Sequence, residues 1–408
     1  MITSLRLVDF KNFADETLRV GPFTVVVGAN ASGKSNIRDA FRFLQGVGRG
    51  YTLAEIIGGR YGADGRVEWR PIRGAANEII RFGQVAFAFE IGLTLENGEA
   101  TYSIEVSPEI SRTSGFRITY ERLRVGQKDV FEKPRTPYPD VYIDLDNGRR
   151  INIKRDRPAV TQVCESRQAG IRYRDLTRQV LNALKSMRFL EPSLDRMRDP
   201  TFPGANVLGD SGDNLPTVLE EICADAERRA ILASWLRELT PMDVCGFEFP
   251  RGPSGRVHLM VCEANGRKVS AYSASDGTLR FLVILAALLG SNSKGLYFFE
   301  DLDNGIHPVR LHLLADLIER QTAKHCIQVV TTTHAPTLLT AINDDTFKST
   351  SVVCRLENKS DAIIRRVAEL PNVQELRRDQ GLGRLHESGW MEDALYFTED
   401  YGEAKDGS

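Results

Sequence analysis

Three short stretches of this 408-residue chain carry residue types and spacings that can do chemistry. Gly28-Ala29-Asn30-Ala31-Ser32-Gly33-Lys34-Ser35 fits GxxxxGK[ST] at every fixed position, and Asn36 follows it. Such a loop can curl successive backbone N–H groups around phosphate oxygens, with the partial positive charge of a helix N-terminus behind them. Gly28 and Gly33 let the backbone bend and approach closely, and Asn30 and Asn36 are counted with them as nucleotide-binding residues. Lys34 would reach the β- and γ-phosphates, and the Ser35 hydroxyl would ligate Mg2+. ATP and Mg2+ are therefore the expected cofactors. The second stretch is the apolar run Leu296–Phe299, which ends on Glu300-Asp301. Two carboxylates closing a buried strand need a cation or strong donors. Beside a phosphate loop, the first acid contacts the Mg2+ shell and the second orients the attacking water, so Glu300 goes to the metal and Asp301 to the water. A shifted register, Asp301 for the metal and Asp303 for the water, is the other assignment. In the third stretch a β-branched run closes on Thr333-His334-Ala335-Pro336, where His334 can hydrogen-bond the γ-phosphate or the water.

Placing these groups requires strands with their carboxyl ends side by side. Ile2–Val8 and Phe23–Val27 read as strands, the second apolar enough to be covered on both faces. A helix is expected over Asn36–Leu44, and another over about Val309–Thr322 between the LYFFE and HCIQVVTTT strands. Ser275-Asp276-Gly277-Thr278 precedes the apolar LRFLVILAALL helix and makes a further anion-binding N-terminus, with Ser275 or Asp276 as its cap. From Val85 to about Lys154 the pattern alternates, and Asn97-Gly98 and Asn147-Gly148 mark hairpin turns. From Tyr173 to Thr240 the period becomes helical, broken by Pro192, Pro200, Pro203 and Pro216. The expected organisation is an N-terminal part of an α/β nucleotide-binding layer over residues 1–160, a helical lid over 161–255, a C-terminal part of that layer over 256–360, and an extension with an acidic tail over 361–408.

Composition excludes little beyond disorder, fibres and disulfide-stapled miniproteins. Hydrophobic residues make up 42%, and 53 basic against 55 acidic side chains leave a net charge of -2. Six scattered cysteines form no CxxC, which favours a reducing compartment over a zinc or redox site. No apolar run approaches the ~18 residues of a membrane span, and no signal peptide is visible, so a cytoplasmic location without membrane contact is expected.

The motif order resembles the ABC-type ATPase heads of the RecF/SMC-like superfamily. More narrowly, it resembles the standalone AAA ATPases of bacterial genome-defence and overcoming-lysogenization-defect (OLD)-like systems. ITSLRLVDFKNFADETL with VVVGANASGKSN corresponds to the first strand and Walker A, SASDGTLRFL to the signature, LYFFEDLDNGIHP to Walker B and the D-loop, and TTTHAPTLL to the switch histidine. The resemblance implies an α/β P-loop NTPase fold, an ABC-ATPase head carrying an antiparallel β excursion and an inserted helical lid. It also implies a dimer in which two heads sandwich two ATPs, with Ser275, Gly277 and Thr278 completing the partner's site in trans. Two departures stand out: Leu302 replaces the usual proline, and Asp301 holds a position where Glu is commoner, so slow turnover is expected. The Q-loop glutamine is open between Gln84 and Gln162.

About 70 residues follow His334, too few for the Toprim nuclease domain of OLD-like nucleases. The expected role is thus a switch that controls a separate effector in a defence-type system. The alternative is a RecF-like DNA-repair ATPase, supported by the stretch 149–178 with nine basic against three acidic residues, a possible DNA contact.

Overall fold

The computed structural model describes residues 1–63, 65, 67–75, 78–109, 115–135, 142–290, 293–355 and 360–397; the expected acidic tail lies outside them. The centre of the fold is a parallel array ordered Ser351–Arg355, Phe23–Val27, Ile327–Thr333, Gly295–Phe299, Arg188–Leu190. Its strands read as continuous apolar runs because both faces are covered. Phe23, Val25 and Val27 enter one core and Val26 the other; Tyr297 and Phe299 likewise face away from Leu296 and Phe298.

The first core holds the Asp276–Leu289 and Pro308–Lys324 helices. The second holds the Lys34–Gly48 helix and the inner face of an antiparallel meander. That meander, with strands from Phe87–Leu95 to Arg150–Asn152, turns at Asn97-Gly98 and Asn147-Gly148 as the sequence predicts. This antiparallel excursion is continuous with the rest of the sheet. Ile2–Phe10 and Phe13–Arg19 join it to the parallel array through Ala362–Arg366, giving a single 14-stranded sheet. The pattern of Phe13–Arg19, with Asp15, Glu16 and Arg19 among seven residues, hid this strand from the sequence reading.

The segment 161–255, expected as a helical lid, contributes to both cores. Its helix Ile171–Lys185 packs with the Lys34–Gly48 helix in one core, whereas Leu215–Ala224 and Ala226–Leu239 pack in the other. Between them Arg188–Leu190 pairs in parallel with Tyr297–Phe299 at the sheet edge. Phe189 is buried on one face and Leu190 on the other, so three residues carry the chain across. A run this short has no period of its own and reads as the end of the preceding helix. Val244–Glu248, Met260–Glu263 and Lys268–Ser270 form a separate three-stranded antiparallel sheet that crosses the expected boundary at 255/256. The hairpin of Ser351–Arg355 with Ala362–Arg366 spans the expected boundary at 360/361. Among the described residues no helix is long and apolar enough to cross a membrane.

Candidate functional site

Phe23–Val27 delivers the chain to the phosphate loop at the carboxyl end of the parallel strands, and the Lys34–Gly48 helix leaves it. Two glycines are required by space as well as by torsion. Gly28 has φ 149° and no room for a Cβ against the Val353 carbonyl; Gly33 has φ 116°, and a Cβ there would meet the Asn12 amide at 2.6 Å. Ala31 also sits at positive φ, 62°, the kind of backbone strain that collects at functional turns. Lys34 is buried, and its Nζ donates to the carbonyls of Gly28 (2.6 Å) and Ala29 (2.7 Å). Burial lowers its pKa, with Asp301 the foremost opposing charge. Asn30 is exposed at the loop tip. Asn36 donates to Asn12 Oδ1 at 2.7 Å, and Asn12 Nδ2 donates to the Ser32 carbonyl at 3.2 Å. Asn12 thus buttresses the loop from the first hairpin.

Ser35 and Glu300, 265 residues apart in sequence, meet at 2.6 Å, the serine hydroxyl donating to Oε1. A hydroxyl and a carboxylate suit Mg2+, which takes one or two protein oxygens and fills its shell with substrate phosphates and water. No group of three or more His, Cys, Asp or Glu able to hold a metal occurs among the described residues. Two arginines that sequence reading missed share this carboxylate. Arg38, one turn along the helix from Ser35, lies 3.6 Å from Oε2 and is also paired with Glu191. Arg73 reaches Oε1 with both terminal nitrogens, at 3.4 and 3.3 Å, donates to the Ser35 carbonyl at 3.0 Å, and pairs with Asp39 through Nε at 3.2 Å.

Asp301 follows with φ 49°, a left-handed conformation that aspartate tolerates better than most residues. Thr332 on the neighbouring strand holds it: the Asp301 amide donates to Thr332 Oγ1 at 2.9 Å, and that hydroxyl donates to Asp301 Oδ1 at 3.2 Å. The Leu302 amide donates to the Thr332 carbonyl at 3.3 Å, a bond the usual proline could not make. His334 Nε2 stands 3.9 Å from Asp301 Oδ1, too far for a direct hydrogen bond, and one solvent-sized group could bridge them. Asp303 instead accepts from Thr333 Oγ1 at 2.5 Å. The structure thus brings Lys34, Ser35, Glu300, Asp301 and His334 to one end of the sheet.

Ser275, Gly277 and Thr278 lie elsewhere. Ser275 caps the Asp276–Leu289 helix, its Oγ accepting from the Thr278 amide at 3.2 Å. The three residues line an open cleft of about 550 Å³ with Thr240, Gly305 and His307, and no residue of 28–36 lines that cleft. Gln162 is committed to the backbone of Lys154 and Arg157, and Gln84 is exposed on a loop. The basic stretch spans Arg150–Asn152 and the helices Ala159–Glu165 and Ile171–Lys185, with Arg157 paired to Glu165.

The C-terminal residues also reach the site. The Leu382–Glu387 helix packs on Pro336–Ala341, which follows His334, and Gly383 leaves no space for a Cβ against it. Burial lowers the His386 pKa and raises that of Glu392, and both residues feel the Lys34 charge.

The sequence matches a family described as "AAA domain, putative AbiEii toxin, Type IV TA system" over residues 23–159 and 172–340. The match covers well over half of the chain, and the chain belongs to this family. Its fold is similar to an SMC head crystallised with the C-terminal winged-helix domain of ScpA, at 15% identity and TM-score 0.51 over 89% of this chain and 96% of that one. An SMC head from Thermotoga maritima aligns at 16% identity and TM-score 0.44 over 90% of this chain and 98% of that one. The architecture is that of a P-loop NTPase of the ABC/SMC-like kind. No curated protein matches the sequence.

Proposed function

We propose that this AAA-domain protein is a Mg2+-dependent, ATP-binding and ATP-hydrolysing switch that pairs head to head and controls a separate effector in a bacterial genome-defence-type system, in the cytoplasm. One observation carries the ATPase part: the Ser35 hydroxyl lies 2.6 Å from the Glu300 carboxylate, beside Lys34 and next to Asp301. In this scheme Lys34 exchanges its two loop carbonyls for phosphate oxygens, and the loop amides from Ala29 to Ser35 bind the rest of the phosphate chain. Ser35 and Glu300 hold Mg2+, which offsets charge on the phosphates. Asp301 orients the attacking water, with His334 on its other side. The strained Asp301 backbone, fixed by Thr332, supports a carboxylate aimed at one position rather than free to wander.

The signature cleft supports the paired state. Ser275 and Gly277 present a helix N-terminus to solvent, away from the chain's own phosphate loop, so their anion-binding capacity is available to a nucleotide on a second copy. Hydrolysis then separates the pair, and the population of paired heads becomes the signal. The toxin–antitoxin term in the family description supports a defence-type setting and a second polypeptide.

Asp301→Asn tests the scheme. The variant should bind ATP with unchanged affinity, hydrolyse it about 100-fold more slowly or worse, and sediment as a dimer with ATP and Mg2+. A monomer under those conditions refutes the paired switch, and full turnover moves the water-orienting role to Asp303.

A further inference from the structure

The two arginines on Glu300 are held differently. The Arg38 side chain is only 8% exposed, pairs with Glu191, and lies over the Phe189 ring at 5.8 Å. It is packed in place. The Arg73 side chain is 47% exposed and comes from a loop, yet it makes the closer contact with Glu300. Arg73 also shares the oxygen, Oε1, to which the Ser35 hydroxyl donates, and it holds the Ser35 carbonyl as well. A guanidinium and a divalent cation on the same carboxylate oxygen repel each other and compete for its lone pairs, whereas Arg38 sits on the other oxygen.

We propose that Arg73 is the exchangeable counter-ion of Glu300, which a divalent cation must displace on binding between Glu300 and Ser35. The metal affinity of the nucleotide-loaded site is then set by this exchange. Asp39 makes the exchange feasible. Its side chain is 2% exposed, and Lys11 Nζ donates to Oδ2 at 2.5 Å, so Asp39 stays neutralised when Arg73 swings outward and can keep the Nε contact as a tether. Arg38 remains on Oε2 throughout and holds the carboxylate in line. Arg73 therefore competes with the metal for Glu300. This inference rests on the nucleotide-site assignment of Ser35 and Glu300 made above.

The test is a Mn2+ titration followed by electron paramagnetic resonance, with the full chain saturated by a non-hydrolysable ATP analogue. Arg73→Ala should bind Mn2+ about three- to fivefold more tightly than the parent, a modest gain because the guanidinium is half exposed and screened. Raising the salt concentration should narrow that gap. Arg73→Lys keeps the charge and should stay within about twofold of the parent. Unchanged or weaker Mn2+ binding in Arg73→Ala, with Arg73→Lys showing that the fold tolerates substitution, overturns the counter-ion role. Absence of analogue-dependent Mn2+ binding in the parent instead overturns the nucleotide-site assignment itself.

Discussion

Glu300 and Glu121 are both carboxylates that collect several hydrogen-bond donors, and the contrast between them separates the working end of the sheet from its structural wing. Glu121 lies in the meander and is fully buried. Its donors are fixed: the Ala159 amide at 2.6 Å, the Val160 amide at 2.8 Å and the Tyr102 hydroxyl at 2.9 Å. It serves as a cap, supplied from a strand, for the Ala159–Glu165 helix, whose first residues have no side-chain cap of their own. Glu300 is 22% exposed; its donors are the side chains of Ser35 and Arg73, and Arg38 pairs with it as an ion at 3.6 Å. A carboxylate held by backbone amides cannot trade partners without unfolding. One held by side chains can exchange a hydroxyl proton or a guanidinium for a metal ion. Backbone donors thus mark architecture here, and side-chain donors mark the site proposed above to exchange ions.

The sharpest way to break that contrast is to remove each carboxylate in turn. Glu300→Gln should lower metal-dependent ATP hydrolysis about 100-fold or more, in a steady-state assay, while moving the melting temperature little. A stability loss as large as that of the Glu121 variants would place Glu300 among the architectural groups. Glu121→Ala should do the reverse. Losing a buried acceptor for two helix amides and a tyrosine costs about 2 kcal/mol or more, measurable by urea denaturation.

A smaller effect sharpens the same point through pH. Burial pushes the Glu121 carboxyl up from an ordinary 4.5 to about 7, despite its amide and tyrosine donors. The folded state therefore keeps a proton that the unfolded state releases. Stability from this group is complete below the unfolded value of 4.5 and is lost as pH rises through about 7. Thermal melts of the parent and Glu121→Gln should show the parent losing ground to the variant between about pH 5 and about pH 8. A constant difference across that range would mean that Glu121 is ionised throughout.

The same two residues show what the sequence could reveal. The convergence of Ser35, Glu300, Asp301 and His334 at one end of the sheet was legible because each sits in a contiguous motif beside a strand end, where apolar runs announce the strand and polar residues announce its limit. Glu121 was not legible. Along Phe116–Val125, Phe116 and Ile118 point inward, but the register slips beside Thr119 and Glu121 and Leu123 then take the inward phase. A bulge of one residue converts an apparently solvent-facing glutamate into a buried one. Arg73 escaped for a different reason. Its partner is 227 residues away, and an arginine in a polar loop carries no local signal of the ion it will meet. Arg188–Leu190 was missed because three residues cannot display a period, although they carry the chain from one core to the other.

The central claim, that this end of the sheet is a nucleotide site, is tested most directly by equilibrium binding of a fluorescent ATP analogue with Mg2+ to the parent and to Lys34→Ala. Saturable binding by the parent that disappears in Lys34→Ala is the predicted result. Equal affinity in the two proteins would contradict it.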